Sequence, residues 1–116
     1  MILQYAAAAA ISEIRATLGP ATATNIVVSG QQEDHVSMGA TACWLLVQSI
    51  SNASSVIAAE MITASIALDH RNEKIGPNLQ PYLDLIRSIV PVEHGDVRRD
   101  ISVQSMLESI CNGSFN

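Results

Sequence analysis

Apolar residues recur at helical spacing along most of this chain, and no run of substance alternates as a strand would. Residues 1–18 are rich in alanine, the strongest helix former, and Gly19-Pro20 is a strong helix stop. Residues 78–111 repeat apolar side chains in two stretches, the second of which begins at Asp100, a residue that can cap a helix. The pattern predicts an all-α chain with a helix over 1–18 and further helices within 78–111.

The longest apolar segment predicts one long helix over residues 36–69, in which Glu60 is the only charge before Asp69. Its apolar side chains occupy every helical face, which is typical of a helix inside a large helical assembly or inside a bilayer. The segment is long enough to cross a membrane, but a block of serine, asparagine and glutamine over 48–55 divides it into pieces below spanning length. We therefore expect no membrane and predict packing among other helices of a larger assembly.

Composition narrows the classes of function. The net charge is −5, and no basic cluster exceeds Arg98-Arg99, so a nucleic-acid partner is not expected. Two cysteines, Cys43 and Cys111, are typical of reduced thiols and not of a secreted disulfide scaffold. The N-terminal apolar run lacks the basic residues of a signal peptide. These features together predict a cytoplasmic protein.

The densest polar cluster, Gln31-Gln32-Glu33-Asp34-His35, directly precedes the predicted long helix. Acidic residues at a helix N-terminus would explain it without any function, because the first backbone N–H groups carry partial positive charge. A metal site formed by Glu33 and His35 with the distant His70 or His94 is a second interpretation. The spacing matches neither HExxH nor paired histidine ligands, so we predict no metal.

Longer sequence strings around this cluster resemble segments of a known protein family. Residues 32–39, QEDHVSMG, resemble a segment of bacterial histidine ammonia-lyases. Residues 1–9, MILQYAAAA, resemble the MIxQxTAAA helix of the same family, at a matching distance, and Ser12-Glu13 follows as in the family's SEN. AAEM at 58–61 and LDHR at 68–71 fall where the family has AIEL and LDxR, and the likeness fades afterwards.

The resemblance implies an aromatic amino acid ammonia-lyase. Such enzymes use an electrophilic methylidene-imidazolone group, formed from an internal Ala-Ser-Gly, to eliminate the α-amino group and a β-proton of the substrate. They are homotetramers of long helices, and each active site draws on several subunits. This architecture would account for a helix that is apolar on every face.

The resemblance also implies site residues. Glu33 takes the position of the family's active-site glutamate, where phenylalanine-specific relatives carry glutamine. A carboxylate can hydrogen-bond an imidazole and favour its charged form, so Glu33 favours histidine as the substrate and could take part in acid–base steps. Met1 and Tyr5, four residues apart on one helical face, match substrate-binding positions, and ordinary core packing is their alternative interpretation.

The remaining polar residues receive supporting assignments. Residues 31–37 are predicted to form an active-site loop, held by three neighbours of Glu33: Gln32, Asp34 and His35. Gln32 is also assigned to substrate binding. His70 and His94 are expected at the surface.

Two departures from the family limit what this chain does alone. It contains no Ala-Ser-Gly, the nearest strings being Ala53-Ser54-Ser55 and Val28-Ser29-Gly30, and residues 21–30 differ from the family's ASVDSxPTSAN. We therefore expect the chain to be inactive by itself and to work with the remainder of a lyase polypeptide or a companion chain that supplies the methylidene-imidazolone group. Two alternatives stay open: an aromatic aminomutase that uses the same group, and a truncated, non-catalytic helical oligomerisation module.

Overall fold

A computed structural model describes residues 1–71, 74–93, 95 and 97–116. The helices in this part of the chain are α1 (Ile2–Ala16), α2 (Gly39–Arg71), α3 (Gln80–Ile89) and α4 (Asp100–Cys111). Two short 3-10 turns, Ala21–Thr24 and Ser29–Gln31, lie in the connection between α1 and α2. These residues form no strand beyond a single bridge between Val28 and Glu33. The predicted all-α fold is confirmed.

Helix α1 packs along α2 in the opposite direction. Its first turn faces the C-terminal half of α2 across a groove, while its last residue, Ala16, lies near Thr41 at the start of α2. Between these ends, Asn52 Nδ2 donates a 3.0 Å hydrogen bond to Glu13 Oε2. The short alanine side chains of Ala6–Ala10 cover α2 thinly, and no residue of α1 is buried.

Helix α2 begins at Gly39, three residues after the predicted start at 36. Met38 has a φ of 51°, in the left-handed region that a right-handed helix does not contain. Its carbonyl oxygen nevertheless accepts the first helical hydrogen bond, from the N–H of Ala42 at 3.0 Å. The first turn of α2 therefore contains no acidic residue. The polar cluster at 31–35 lies outside the helix N-terminus, so helix-terminal acids do not explain it.

The hydrophobic core lies at the C-terminal half of α2, where α3 and α4 pack against it. The fully buried or nearly buried residues are Ala58, Ala59, Ile62, Ser65, Ile86, Val90 and Met106. Helix α4 ends in a left-handed residue, Gly113, with a φ of 74°. The N–H groups of Gly113 and Ser114 donate to the carbonyls of Ile110 and Ser109, which is the Schellman arrangement.

Arg87 ties α3 to α2 beside this core. Its Nη2 donates to the carbonyl oxygen of Ser65 at 2.6 Å and to Asp69 Oδ2 at 2.5 Å. Its Nη1 donates to the carbonyl oxygen of Val90, at the end of its own helix, at 3.2 Å. One guanidinium group thus satisfies acceptors on both helices.

The chain is elongated, with extents of 67 × 28 × 21 Å. Its radius of gyration is 19.7 Å, whereas a compact domain of this length has about 13 Å. Helix α2 is long and apolar enough to cross a membrane by length and composition, and only 11% of its most apolar stretch is buried. Much apolar surface on α2 is therefore left uncovered by the described part of the chain.

Candidate functional site

The polar cluster lies in a narrow loop between Asn25 and Val36, which we call the 25–36 loop. Its two sides pair through the bridge between Val28 and Glu33, whose backbones exchange hydrogen bonds of 3.1 and 3.3 Å. The turn between them contains three consecutive left-handed residues, Ser29–Gln31, with φ values of 54°, 62° and 72°. Only the middle one, Gly30, is a glycine, so the other two adopt a conformation that L-residues populate sparsely.

The side chain of Asn25 closes the base of this loop. Its Nδ2 donates to the carbonyl oxygen of Asp34 at 3.0 Å, and its Oδ1 accepts from the backbone N–H of Val36 at 3.2 Å. The amide group therefore bonds the opposite side of the loop as a peptide group of a neighbouring strand would. Sequence reasoning missed Asn25, although asparagine among turn residues is a recognised signal for such side-chain-to-backbone bonding.

Glu33 is exposed, and the turn that presents it packs against none of the helices in the described chain. Glu33 lines neither of two grooves that α1 and its following loop form with α2. The expected pocket around its carboxylate is therefore not built by this chain's described residues. Any such pocket must be completed by other protein segments.

The neighbours predicted to hold the loop do not do so with their side chains. Gln32, Asp34 and His35 are all exposed, and within the described residues none of their side chains makes a hydrogen bond. Asp34 contributes its backbone carbonyl oxygen, which accepts from Asn25. The loop is thus held together by backbone pairing and by the Asn25 amide, and not by these side chains.

Met1 and Tyr5 lie at the start of α1 and are 94% and 71% exposed. Met1 lines an open groove of about 730 Å³ between α1 and α2, together with Glu60, while Tyr5 does not line it. No described contact brings either residue to Glu33. The 25–36 loop joins α2 at its N-terminal end, whereas Met1 faces the C-terminal half of α2.

The histidines and acids form no metal site in the portion of the chain that the structure describes. His70 is exposed at the end of α2, and the expectation for His94 lies outside the described residues. Glu33 and His35 have no third potential ligand beside them among these residues.

The residues present do not fit a methylidene-imidazolone group, which requires an Ala-Ser-Gly precursor. Ala53-Ser54-Ser55 lies inside the continuous helix α2. Val28-Ser29-Gly30 leads into the exposed turn of the 25–36 loop, and it begins with valine. Neither string is the precursor, and no step through such a group follows from this chain's own residues.

Comparison with known proteins gives a consistent family. The family model described as "Aromatic amino acid lyase" matches residues 1–88. The histidine ammonia-lyase of Deinococcus radiodurans is 38% identical over 91 residues, which cover 78% of this chain and 17% of the relative. That of Staphylococcus aureus is 44% identical over 92 residues, covering 78% and 18%.

A histidine ammonia-lyase of Chloroflexus aurantiacus is 38% identical over 97 residues, again covering 78% of this chain and 18% of the relative. The chain therefore spans less than a fifth of the length of these curated relatives. No solved structure matches it. With a family model matching most of its length and relatives of this similarity, the chain belongs to the aromatic amino acid lyase family.

Proposed function

We propose that this chain is part of an ammonia-lyase that eliminates ammonia from an aromatic amino acid, with L-histidine as the substrate and urocanate as the product. One observation carries the proposal: a chain of this family presents a glutamate, Glu33, within the string QEDHVSMG. Three similar relatives from different bacteria are named histidine ammonia-lyases, which supports the choice of substrate.

The chemistry of Glu33 suits an imidazole. A carboxylate accepts a hydrogen bond from a ring N–H and favours the protonated ring, whereas a phenyl ring offers no such partner. A carboxylate in this place could also move a proton during elimination, when the β-proton and the α-amino group leave the substrate. Because Glu33 is exposed in this chain, it is free to contact a substrate held by other segments.

The rest of the proposed pocket lies outside this chain. Because the chain has no Ala-Ser-Gly, the electrophilic methylidene-imidazolone group would be supplied by the remaining lyase polypeptide or a companion chain. In this proposal Met1, Tyr5 and Gln32 line the substrate pocket with Glu33. Met1 and Tyr5 start α1, and the 25–36 loop adjoins the start of α2, so further segments must join them. By itself the chain would be inactive.

Protein, and not lipid, is the proposed cover for α2. The side chain of its mid-helix residue Asn52 donates a hydrogen bond to Glu13, an ionisable and solvent-exposed residue of α1. A carboxylate at that depth would be costly in hydrocarbon. We therefore propose a cytoplasmic homo-oligomer, a tetramer by resemblance, in which other helices of the lyase pack against α2.

The test replaces Glu33 in the complete lyase assembly. Glu33→Gln removes the charge but keeps the shape, and it should lower kcat/KM for histidine by about 10²–10⁴-fold, the usual contribution of a positioned acid or base. Turnover of phenylalanine, if present, should change far less. Ultraviolet absorbance of the conjugated acrylate product measures both reactions.

Asp34→Asn is the matched control for Glu33→Gln, because it removes the same charge from the adjacent side chain, which, like that of Glu33, makes no hydrogen bond to the described residues. It should leave histidine turnover close to that of the parent enzyme. Full histidine activity in Glu33→Gln would contradict the proposal.

A non-catalytic oligomerisation module is the second candidate, favoured by the uncovered apolar surface of α2 and the missing Ala-Ser-Gly. The two candidates differ in what accompanies the chain. A lyase requires an Ala-Ser-Gly, either in frame upstream of Met1 or in a companion chain. If neither exists, the module is the better interpretation.

A further inference from the structure

We propose that Asn25 is a positioning residue that sets the orientation of Glu33 through the backbone of the 25–36 loop. This inference rests on the proposed function, since it gives Asn25 a role in substrate turnover only if Glu33 has one. Asn25 would touch neither the substrate nor the reacting atoms. Its two hydrogen bonds end on Asp34 and Val36, the former directly following Glu33 in the chain.

The geometry fixes the backbone of Glu33 from both sides. On the turn side, the N–H and carbonyl of Glu33 pair with Val28 at 3.3 and 3.1 Å. On the base side, the Asn25 amide bonds the carbonyl of Asp34 and the N–H of Val36. A backbone held at successive residues fixes the direction of the Cα–Cβ bond, so the side chain of Glu33 leaves the loop from a defined place and in a defined direction.

The loop has little else to hold it. Its turn packs against none of the helices, and the side chains of Gln32, Asp34 and His35 form no hydrogen bonds within the described residues. The turn also contains two non-glycine residues in the left-handed region, Ser29 and Gln31, which persist only where surrounding bonds hold them. Asn25 supplies two of those bonds and is itself partly buried.

The chemistry of the bonds explains why the residue is an asparagine. One arm must donate to a carbonyl and the other must accept from an N–H, which a carboxylamide does in one plane. Asn25→Asp keeps the shape but replaces the donor by an oxygen that faces the carbonyl of Asp34. This change keeps the size of the side chain but should separate the two sides of the loop at its base.

The experiment is a double-mutant cycle in the complete lyase assembly, with kcat/KM for histidine as the first readout. Asn25→Asp should reduce it about tenfold, the effect expected from losing a hydrogen bond and creating a repulsive contact. In an enzyme that already carries E33Q, the same change should have almost no further effect, because the carboxylate that it misdirects is gone.

Asn52→Asp provides the matched control. It removes the amide donor that bonds Glu13 on α1, outside the loop, and any effect on activity should be equal with and without E33Q. Hydrogen exchange gives a readout that is independent of activity: the Val36 amide should exchange faster in Asn25→Ala, which removes the Oδ1 acceptor of that amide, and at the parent rate in Asn52→Asp. If Asn25→Asp does not fold, Asn25→Ala, which removes both hydrogen bonds without adding a charge, replaces it in the same cycle with the same expected loss.

The outcomes separate this inference from the proposed function. Full activity of E33Q alone would contradict the proposed function, whatever Asn25→Asp does. If E33Q is impaired but Asn25→Asp costs the same factor in both backgrounds, the positioning role is wrong and the proposed function stands. An unchanged exchange rate at Val36 in Asn25→Ala would likewise overturn the positioning role.

Discussion

The two halves of α2 are equally apolar in sequence but differ in what covers them. From Ala58 onward, the helix contributes four buried residues, of which Ala58 and Ile62 belong to one core cluster with residues of α3 and α4. Before Ala58, none of the described residues of the chain is buried. Trp44, Leu46, Val47 and Ile50 are each more than half exposed. Apolar composition alone therefore does not locate a core, because topology decides which half of a helix finds partners.

The difference has a physical origin in the covering helices. Helices α3 and α4 bring large side chains, including Ile86 and Met106, to the C-terminal half of α2. The N-terminal half meets the C-terminal end of α1 and the short turn Ala21–Thr24, which leave its large apolar side chains mostly exposed. The 25–36 loop enters α2 at this uncovered end. The part of the chain with the proposed chemistry is thus the part that most needs other protein segments.

The largest expected effect is on the free energy of unfolding, and it distinguishes the two halves of α2. Ile62→Ala should reduce the free energy of unfolding by about 2–5 kcal/mol, because the side chain is fully buried and its loss leaves a cavity. Ile50→Ala, on the same helix but 57% exposed, should change it by less than about 0.5 kcal/mol. Urea unfolding of the chain, followed by circular dichroism, measures both. Equal losses would mean that the two halves do not differ in packing.

A smaller effect is expected at the link between α2 and α3. Arg87→Met keeps much of the apolar stem but loses the three hydrogen bonds to Ser65, Asp69 and Val90. It should lower the free energy of unfolding by about 1–3 kcal/mol. Arg99→Met is the control, since the Arg99 side chain is equally covered, at 16% exposure against 17%, but within the described residues it pairs with Glu93 alone. That pair should contribute about 0–1 kcal/mol. If Arg99→Met lowered the free energy of unfolding as much as Arg87→Met, the hydrogen bonds of Arg87 between α2 and α3 would have no special role in stability.

Much of this architecture follows from local sequence. Gly19-Pro20 ends the alanine-rich α1 early, the spacing of apolar residues produces the amphipathic α3, and Asn112-Gly113 provides the left-handed end of α4. These signals act within a few residues of where they occur. Local physics is enough to predict them.

The location of the core and the form of the 25–36 loop could not be predicted in the same way. Helix α2 is apolar on every face, so no stripe marks the side or the half that is covered. The left-handed Ser29 and Gln31 are stabilised by bonds across the loop, and Asn25 reaches a residue eleven positions away. Long-range partners of this kind leave no periodic signal in a single sequence. Helix α2 also begins later than predicted, directly after the left-handed Met38.

The weakest effect is expected at the exposed pair that begins α4. Hydrogen bonds from Arg98 lower the pKa of the Asp100 carboxyl, aided by its positive charge and by the backbone N–H groups at the helix start. Because the lowered pKa belongs to the folded state, the pair stabilises the fold above the ordinary carboxyl pKa, and this contribution is lost as pH falls through the lowered value. Arg98→Met should therefore raise the pKa of Asp100 toward its ordinary value, and added salt should weaken the same interaction in the parent chain. Carboxyl-carbon NMR titration measures the midpoint, and an unchanged midpoint in Arg98→Met would show that the helix start alone holds the charge.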